Sequence, residues 1–274
     1  MGIEFIGKSK ISHDKENSRV YLMSFHPDDF PSIIKVMDQI AETHNYTKLF
    51  GQVPARFVPA FLQAGYLTEA IIPRLFNGSE DGFFMGKYRS TERLLPETKA
   101  LADFQSLLLK PAKTILPPLE PTYTIESLNV RHIPQILEIF VSIFKTYPLP
   151  IFDSHFLEES MLEDKNPYYG ASHKGKLVAL CSAECNRENK NAELTDFAVL
   201  DSHKGKNLGA HLLHRLENHF FKNDIKTLFS ISRLHSIPMN RVFQNAEYHY
   251  AGTLTRNTQI CGAIESMNIW YKSI

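Results

Sequence analysis

The residues with the clearest chemical potential form a glycine-containing loop with the sequence KGKNLGA at positions 204–210. An alternating apolar stretch at residues 192–200, typical of a strand, precedes the loop, and helical apolar spacing follows it. A helix that begins after such a loop presents unpaired backbone N–H groups and its positive dipole end to an anion. This pattern predicts a phosphate-binding site, with a plain capped helix as the alternative. The residues of the predicted site are Lys204, Gly205, Lys206, Asn207, Leu208, Gly209 and Ala210.

The elements that must position this loop alternate between strands and helices. From residue 122 onward, the patterns follow the order β-α-α-β-β-β-α-β-α-β-β, with three consecutive strands joined by short turns. This order predicts an α/β (α+β) fold with a mixed, mostly antiparallel sheet flanked by helices. In the helix after the loop, the predicted buried side consists of Leu208, Leu212, Leu216 and Phe220.

The clearest domain boundary is the proline-rich segment PAKTILPPLEP at residues 111–121. It divides the chain into an N-terminal part, residues 1–110, and a C-terminal domain, residues 122–274. Residues 48–76 repeat the strand, helix, strand pattern of residues 227–255 at the same length. The N-terminal part is therefore predicted to be a degenerate half-domain that extends or covers the sheet, with chance similarity as the alternative.

The composition narrows the classes of protein that need be considered. The 274 residues include 30 Lys and Arg against 30 Asp and Glu, which argues against electrostatic binding to nucleic acid or an acidic membrane. No apolar stretch approaches the length of about 18 residues that a membrane span needs. The 3 cysteines lack the spacing of a zinc site or a disulfide framework, so we expect a cytoplasmic protein without a bound metal.

The loop resembles the acetyl-CoA pyrophosphate loop of the GNAT superfamily of N-acetyltransferases, whose pattern is Gln/Arg-x-x-Gly-x-Gly/Ala. Lys204, Asn207 and Gly209 occupy the three defined positions. Lys replaces Gln/Arg, and Asn replaces the first glycine, which is tolerable because Asn adopts positive φ more readily than most residues. The order of elements in residues 122–274 resembles the whole fold of that family. The resemblance implies a catalytic GNAT domain there, a degenerate GNAT-like half-domain before it, and acetyl-CoA as co-substrate.

An amine substrate is protonated at neutral pH, so acetyl transfer to it requires a proton acceptor. Glu193 precedes Lys204 by eleven residues. Histone-acetylating members of the family have their general base at this position, so the resemblance implies that Glu193 is the base, acting through a water. Asp196, expected on the opposite face of the strand, is the rival candidate.

The resemblance also implies that residues 197–199 splay from the neighbouring strand. Backbone groups of Phe197, Ala198 and Val199 would then contact the pantetheine arm, with the Val199 N–H facing the developing oxyanion. The alternative is that these are ordinary core residues. Many family members have a tyrosine that protonates the departing thiolate, but that position falls on Phe243, so the thiolate leaves unaided or Tyr248 serves.

A closer resemblance is to the beta-lysine N-acetyltransferases, through TYPLPIFD, HSIPMNRVF, GTLTRNTQICGAIESMNIWYK and the N-terminal extension. It implies acetylation of the N6 amine of 3,6-diaminohexanoate, which gives a neutral zwitterion used as a compatible solute. Several polar residues on loops or element ends are candidates for the cleft, although each could be an ordinary surface residue. The candidates are Tyr147, Asp196, Arg233 and Glu265 for the substrate and Asn240 for the cofactor or the substrate.

Other functions stay open at this level. The acceptor could be another small amine, such as lysine or a polyamine, or a protein lysine. A non-catalytic acyl-CoA-binding sensor is the alternative from a different class, favoured by Phe243 and Asn207. For an enzyme we expect direct attack of the amine, because no motif places an activating histidine beside Cys181 or Cys185. A homodimer is the default expectation for assembly.

Overall fold

The computed structural model describes residues 2–274, which form thirteen strands and eight α-helices. The N-terminal part comprises β1 (Gly2–Ile6), β2 (Ser9–Asp14), β3 (Arg19–Ser24), α1 (Ser32–Thr43), β4 (Lys48–Pro54), α2 (Val58–Gln63), β5 (Leu67–Phe76), β6 (Glu80–Tyr88), α3 (Thr91–Leu94) and α4 (Thr98–Leu108). The C-terminal part comprises β7 (Tyr123–Ser127), α5 (Ile133–Ile143), α6 (Ser154–Leu162), β8 (Tyr168–His173), β9 (Lys176–Asn186), β10 (Asn191–Val199), α7 (Leu208–Phe220), β11 (Thr227–Arg233), α8 (Ile237–Asn245), β12 (His249–Ile260) and β13 (Ala263–Ser273).

All thirteen strands belong to one sheet, in the order β1-β2-β3-β4-β6-β5-β12-β13-β11-β10-β9-β8-β7. Its neighbouring strands run antiparallel except in the pairs β3–β4 and β10–β11, which are parallel. The predicted mixed, mostly antiparallel sheet and the predicted order of elements after residue 122 are both confirmed. Among residues 2–274, no helix combines the length and apolar composition that crossing a membrane requires.

The buried side of α7 fixes the position of the loop before it. Leu208, Leu212, Leu216 and Phe220 are all buried, as the spacing predicted, and they pack in a cluster with residues of β8, β9 and β10. Truncation of a buried leucine in such a cluster typically costs about 2–5 kcal/mol of stability. The N-terminus of α7 therefore lies at a defined place beside the end of β10.

The N-terminal part repeats the C-terminal part more completely than the sequence comparison indicated. The series β1–β3, α1, β4, α2, β5 and β6 matches the series β8–β10, α7, β11, α8, β12 and β13. In the sheet, the run β3-β4-β6-β5 mirrors the run β12-β13-β11-β10, and the parallel pair β3–β4 corresponds to β10–β11. The predicted repeat in the N-terminal part is thus present, and it extends the sheet.

The two halves join where β5 meets β12. Gly252 pairs with Ala70 there, and a side chain at Gly252 would place its Cβ 2.1 Å from the carbonyl oxygen of Glu69, so only glycine fits. Buried polar groups also connect the two halves at this position. Lys48 Nζ lies 2.8 Å from the Glu69 carboxylate and donates to the Thr255 carbonyl at 2.8 Å. A buried ion pair with these additional hydrogen bonds favours a single register between the halves.

The halves also share an apolar core. One cluster joins five residues of the N-terminal part with four of the C-terminal part. Helix α4, from the N-terminal part, packs instead among residues of the C-terminal core. Residues 111–120 lie outside helices and strands, and the division into domains at residues 111–121 stays a prediction. The members of the shared cluster are Phe50, Ala70, Ile72, Leu75, Phe84, Phe229, Leu254, Met267 and Ile269.

Candidate functional site

The site begins where two parallel strands separate. β10 pairs with β11 only over Asn191–Glu193, although β10 continues to Val199. Beyond Glu193, the two strands diverge, and a cavity of about 1160 Å³ opens between them. The predicted splay of residues 197–199 from the neighbouring strand is therefore present. Backbone groups on this side of β10 have no partner strand and can bind a ligand.

A bulge in β10 determines which side chains face the cavity. The register between β9 and β10 shifts between Thr195 and Ala198, and Asp196 has a left-handed φ of 55°. Simple alternation would put Glu193 and Asp196 on opposite faces, as we expected from the sequence. The bulge resets the alternation, so both residues line the cavity. The expectation of opposite faces is wrong for this reason.

The remaining residues of the β10 end divide between cavity and core. Phe197 and Val199 line the cavity. The side chain of Ala198 is 1% exposed and packs in the core with residues of α5, so Ala198 can contact a ligand only through its backbone.

The loop before α7 has the geometry of an anion-binding site. Gly205 has φ 77° and Asn207 has φ 57°, so Asn207 adopts the positive φ that its type permits. The hydrogen-bond pattern of the helix begins at Asn207, whose carbonyl accepts from the Ala210 N–H at 3.0 Å. Within residues 2–274, the N–H groups of Leu208 and Gly209 donate to no acceptor. They point out of the helix end as free donors.

The space in front of the free N–H groups at the start of α7 is open. A Cβ at Gly209 would meet only the Val242 side chain, at 4.0 Å, so the backbone there is accessible to a ligand. The loop residues line the cavity with one exception. Lys206 lies outside it and pairs with Glu120 at 2.8 Å, while Lys204 pairs with Asp201 at 2.5 Å. The free backbone N–H groups fit an anionic ligand, and Lys204 is the loop lysine that lines the cavity.

The proline-rich segment forms another part of the cavity wall, a contact that no sequence pattern indicated. Residues 113–117 line the cavity beside α8. The Lys113 N–H donates to Asn245 Oδ1 at 2.8 Å, and Arg241 Nη2 donates to the Pro111 carbonyl at 2.7 Å. The segment is therefore held against α8 at the cavity wall.

Three carboxyl groups line the same cavity. Glu193 lies directly opposite Glu184 in the β9–β10 ladder, and Asp196 follows on β10. Burial raises the pKa of Glu193 well above its usual value, and the charges of Glu184 and Asp196 raise it further. The surrounding protein, with the charge of Asp196, raises the pKa of Glu184 to about 7. The Glu193 side chain is half-buried and that of Glu184 is exposed, so desolvation disfavours ionisation more strongly at Glu193.

Asp196 differs from the two glutamates because its oxygens already have donors. Tyr147 Oη donates to Oδ1 at 2.7 Å, and Ser182 Oγ donates to Oδ2 at 2.5 Å. Burial raises the pKa of Asp196, whereas these hydrogen bonds act in the opposite direction. The structure thus brings together two predicted substrate residues, Tyr147 and Asp196, in one hydrogen-bonded unit.

The other predicted substrate and cofactor residues are engaged elsewhere. Arg233 lines the cavity, but its Nε and Nη2 already donate to Glu265 at 2.8 and 2.7 Å, so its fork is not free for a substrate carboxylate. Glu265 itself does not line the cavity. Asn240 is fully buried outside the cavity, where its Oδ1 accepts from Trp270 Nε1 at 2.8 Å and from Asn268 Nδ2 at 2.9 Å. These contacts give Asn240 a structural position rather than a ligand-binding one.

The N-terminal part contributes a wall that the sequence did not predict. Its strands β3 and β4 supply four cavity residues. Among the residues missed, Glu184 could have been predicted from the sequence. The turn between β9 and β10 sets the register of the two strands, and that register places Glu184 opposite Glu193. The N-terminal residues had none, since their approach depends on the curvature of the whole sheet. They are Arg19, Tyr21, Met23 and Phe50.

Neither Phe243 nor Tyr248 presents a phenol to the cavity. Phe243 is fully buried and packs against Phe197 and Tyr248, with ring centroids 5.9 and 5.3 Å apart. Tyr248 is 4% exposed and does not line the cavity. Burial and the charge of Glu217 raise its pKa well above the usual value.

Comparisons with known proteins identify similar sequences and structures. Residues 133–248 match the family model described as the acetyltransferase (GNAT) family. The chain is 29% identical over 268 residues to the beta-lysine N(6)-acetyltransferase of Methanococcus maripaludis, covering 97% of each chain. It is 34% identical over 154 residues to the N-acetyltransferase YodP of Bacillus subtilis, covering 56% of each. A crystal structure of the ribosomal-protein-alanine N-acetyltransferase from Brucella melitensis is 17% identical, with a TM-score of 0.48, and covers 55% of this chain and 99% of that one.

The sequence match spans the loop, the splayed strand and the helix after it. The relative from Methanococcus extends the similarity over almost the whole chain, including the N-terminal part. Residues 133–248 match the acetyltransferase (GNAT) family over this site, and the chain is an N-acetyltransferase that uses acetyl-CoA.

Proposed function

We propose that this enzyme transfers the acetyl group of acetyl-CoA to the N6 amine of beta-lysine, 3,6-diaminohexanoate. The observation that carries the proposal is the meeting of two sites in one cavity: the free N–H groups before α7 and the three carboxyl groups of β9 and β10. The name of the Methanococcus relative, which is similar over 97% of this chain, supplies the substrate.

The carboxyl groups suit a substrate with ammonium groups. Two glutamates directly opposite each other repel when both are ionised, and an ammonium between them relieves that repulsion. Beta-lysine carries two ammonium groups and one carboxylate. Acetylation of one amine removes a positive charge and leaves a neutral zwitterion, the form that a compatible solute requires.

Glu193 is the proton acceptor in this proposal. Its raised pKa brings the carboxylate closer to neutral pH, where a general base is most effective. Glu184 lies opposite Glu193, so a proton accepted by the pair can reside on either carboxylate. Asp196, held by Tyr147 and Ser182, provides a fixed negative charge beside them.

The co-substrate supplies an activated thioester carbonyl, and the chain supplies its orientation. The N–H groups at the start of α7 hold the pyrophosphate, and the backbone of the splayed strand at Phe197 and Val199 holds the arm. The Val199 N–H is the proposed donor to the oxygen of the attacked carbonyl. With Phe243 at the usual tyrosine position, the thiolate leaves without a phenol as proton donor.

Direct attack by the amine fits the state of the cysteines. Cys181 is fully buried, and burial raises its pKa well above the usual value. Burial also raises the pKa of Cys185 to about 11. Thiols with raised pKa values are poor nucleophiles at neutral pH, so an acetyl-cysteine route is not part of the proposal. The three unpaired thiols also support the proposed cytoplasmic location.

The experiment is a comparison of acceptors by release of free thiol from acetyl-CoA. Beta-lysine, lysine, ornithine, spermidine and a lysine-containing peptide would be assayed side by side. The proposal predicts that kcat/KM is highest for beta-lysine by at least about tenfold, which corresponds to about 1.4 kcal/mol. A higher value for spermidine or the peptide would replace the substrate. Thermal stabilisation by acetyl-CoA without turnover of any amine would favour the sensor alternative.

A further inference from the structure

Arg19 is a buried cation on the cavity wall, and it comes from the N-terminal part of the chain. It begins β3, is 6% exposed, and lines the same cavity as Glu193. Its Nη1 donates to the Asn257 carbonyl at 2.6 Å and to Thr258 Oγ1 at 3.2 Å. These bonds, both to β12, anchor one corner of the guanidinium.

The other nitrogens of this guanidinium are free. Within residues 2–274, Arg19 forms no ion pair with a carboxylate, and its Nε and Nη2 form no hydrogen bond. Both nitrogens keep some accessible surface, because the fully buried polar atoms that lack a partner do not include them. Since Arg19 lines the cavity, a ligand can reach them there. A buried guanidinium that no carboxylate contacts directly is costly, so an anionic ligand would complete this site.

Two other arginines, the buried Arg93 and the half-buried Arg233, show what a guanidinium with a purely structural role has here. Arg93 is 5% exposed and uses all three nitrogens, with acceptors at 2.6, 2.8 and 2.8 Å. Arg233 has its carboxylate in Glu265. Arg19 differs from both, because it faces the cavity with unused donors.

Aromatic rings fix the orientation of the Arg19 fork. Its Cζ lies 5.0 Å from the centroid of the Tyr21 ring and 5.7 Å from that of Phe50. The two rings are tilted against each other with centroids 5.0 Å apart. Cation–π contacts of this kind restrict the guanidinium to one plane before any ligand binds, which lowers the entropy cost of binding.

We propose that Arg19 binds the carboxylate of the amino-acid substrate, so that the N-terminal half-domain selects diamino acids against diamines. The inference rests on the proposed function and adds a residue role to it. The carboxyl groups of β9 and β10 bind the amine end, and Arg19 binds the acid end. Arg19 also repels the additional ammonium groups of a polyamine, which the three carboxyl groups alone would attract.

The test compares beta-lysine with 1,4-diaminopentane, which is beta-lysine without its carboxyl group. In the wild type, kcat/KM for beta-lysine should exceed that for the diamine by about 10- to 100-fold, the range of a charge-assisted bidentate contact. Arg19→Met should remove this preference, mainly by raising KM for beta-lysine, while turnover of the diamine persists and reports an intact fold. Arg19→Lys, which keeps the charge and loses the fork, should retain part of the preference.

Arg93→Met is the matched control, because it removes a buried arginine that joins the two halves outside the cavity. It should leave the ratio of the two substrates unchanged. A wild-type ratio near one would overturn the proposal without any variant. Equal losses for both substrates in Arg19→Met, or a changed ratio in Arg93→Met, would also overturn it.

Failure of the substrate assignment would look different from failure of the Arg19 role. If the wild type acetylates lysine or ornithine rather than beta-lysine, the substrate proposal fails. The Arg19 role would still be tested with that amino acid and its decarboxylated diamine. If the preferred acceptor carries no carboxylate at all, both proposals fail together.

Discussion

Glu193 of β10 lies directly opposite Glu184 of β9 in the antiparallel ladder, and both side chains line the cavity between the splayed strands. Like charges at opposed positions destabilise a sheet, so this pair has a cost in the unliganded protein. The positive charge of a bound ammonium substrate offsets this repulsion between the two carboxylates. The pair links substrate choice and proton transfer to one structural feature.

Replacement of Glu193 by glutamine should reduce kcat by at least about a hundredfold, since general-base catalysis typically provides 10²–10⁴-fold. The measurement is the initial rate against beta-lysine over a range of pH. Glu188→Gln, in the turn that joins β9 and β10, is the matched control and should leave kcat unchanged. An unchanged kcat in the Glu193 variant would remove the base assignment.

Replacement of Glu184 by glutamine should stabilise the unliganded protein at high pH. The pKa of Glu184 rises on folding from 4.5 to about 7, so the folded state binds more protons than the unfolded state in that window. Its contribution to stability is therefore present below pH 4.5 and is lost as the pH rises through about 7. The Tm of the variant should exceed that of the wild type at pH 8, with a smaller difference at pH 4.5. A difference independent of pH would contradict this account of the pair.

Replacement of Tyr147 by phenylalanine should impair amine binding more than cofactor binding. The variant loses the donor that holds Asp196 at 2.7 Å, and without it the pKa of Asp196 should rise further. We expect KM for the amine to increase by about 10- to 100-fold, the range of one hydrogen bond to a charged group. Tyr168→Phe removes a buried hydroxyl that donates to Ser160 outside the cavity and serves as the control. Equal effects of the two variants would show that Tyr147 only supports the fold.

Replacement of Gly209 by valine should weaken acetyl-CoA binding by at least about tenfold, because the new side chain would fill the space in front of the helix N-terminus. The measurement is the increase in Tm at a fixed acetyl-CoA concentration, which follows the dissociation constant. Asn218→Val, on the exposed side of α7, controls for the lower helix propensity of valine. Wild-type affinity in the glycine variant would exclude this loop as the pyrophosphate site.

The sequence predicted the C-terminal architecture because its signals are local. The buried side of α7, the positive φ of Asn207 and the order of elements follow from apolar spacing, residue type and turn composition. The strand, helix, strand repeat at residues 48–76 also predicted the main N-terminal elements, although the strands β1, β2 and β3 carried no recognised signal.

Features that depend on register or on distant contacts escaped prediction. The bulge at Asp196 reverses the face of one carboxyl group, and it requires a left-handed residue that sequence patterns did not indicate. Arg19 and Phe50 reach the cavity only because the sheet curves through both halves. Arg233 and Asn240 lay at plausible positions, but partners far along the chain occupy their polar groups.

The most direct test of the account is identification of the product formed from beta-lysine and acetyl-CoA carrying a ¹³C-labelled acetyl group. NMR of the purified product locates the label on one nitrogen, and mass spectrometry of the intact protein reports whether the enzyme itself is acetylated. The account predicts a single product acetylated at N6 and an unmodified enzyme. Acetylation at N3, an acetylated cysteine during turnover, or no product under conditions where acetyl-CoA binds would contradict it.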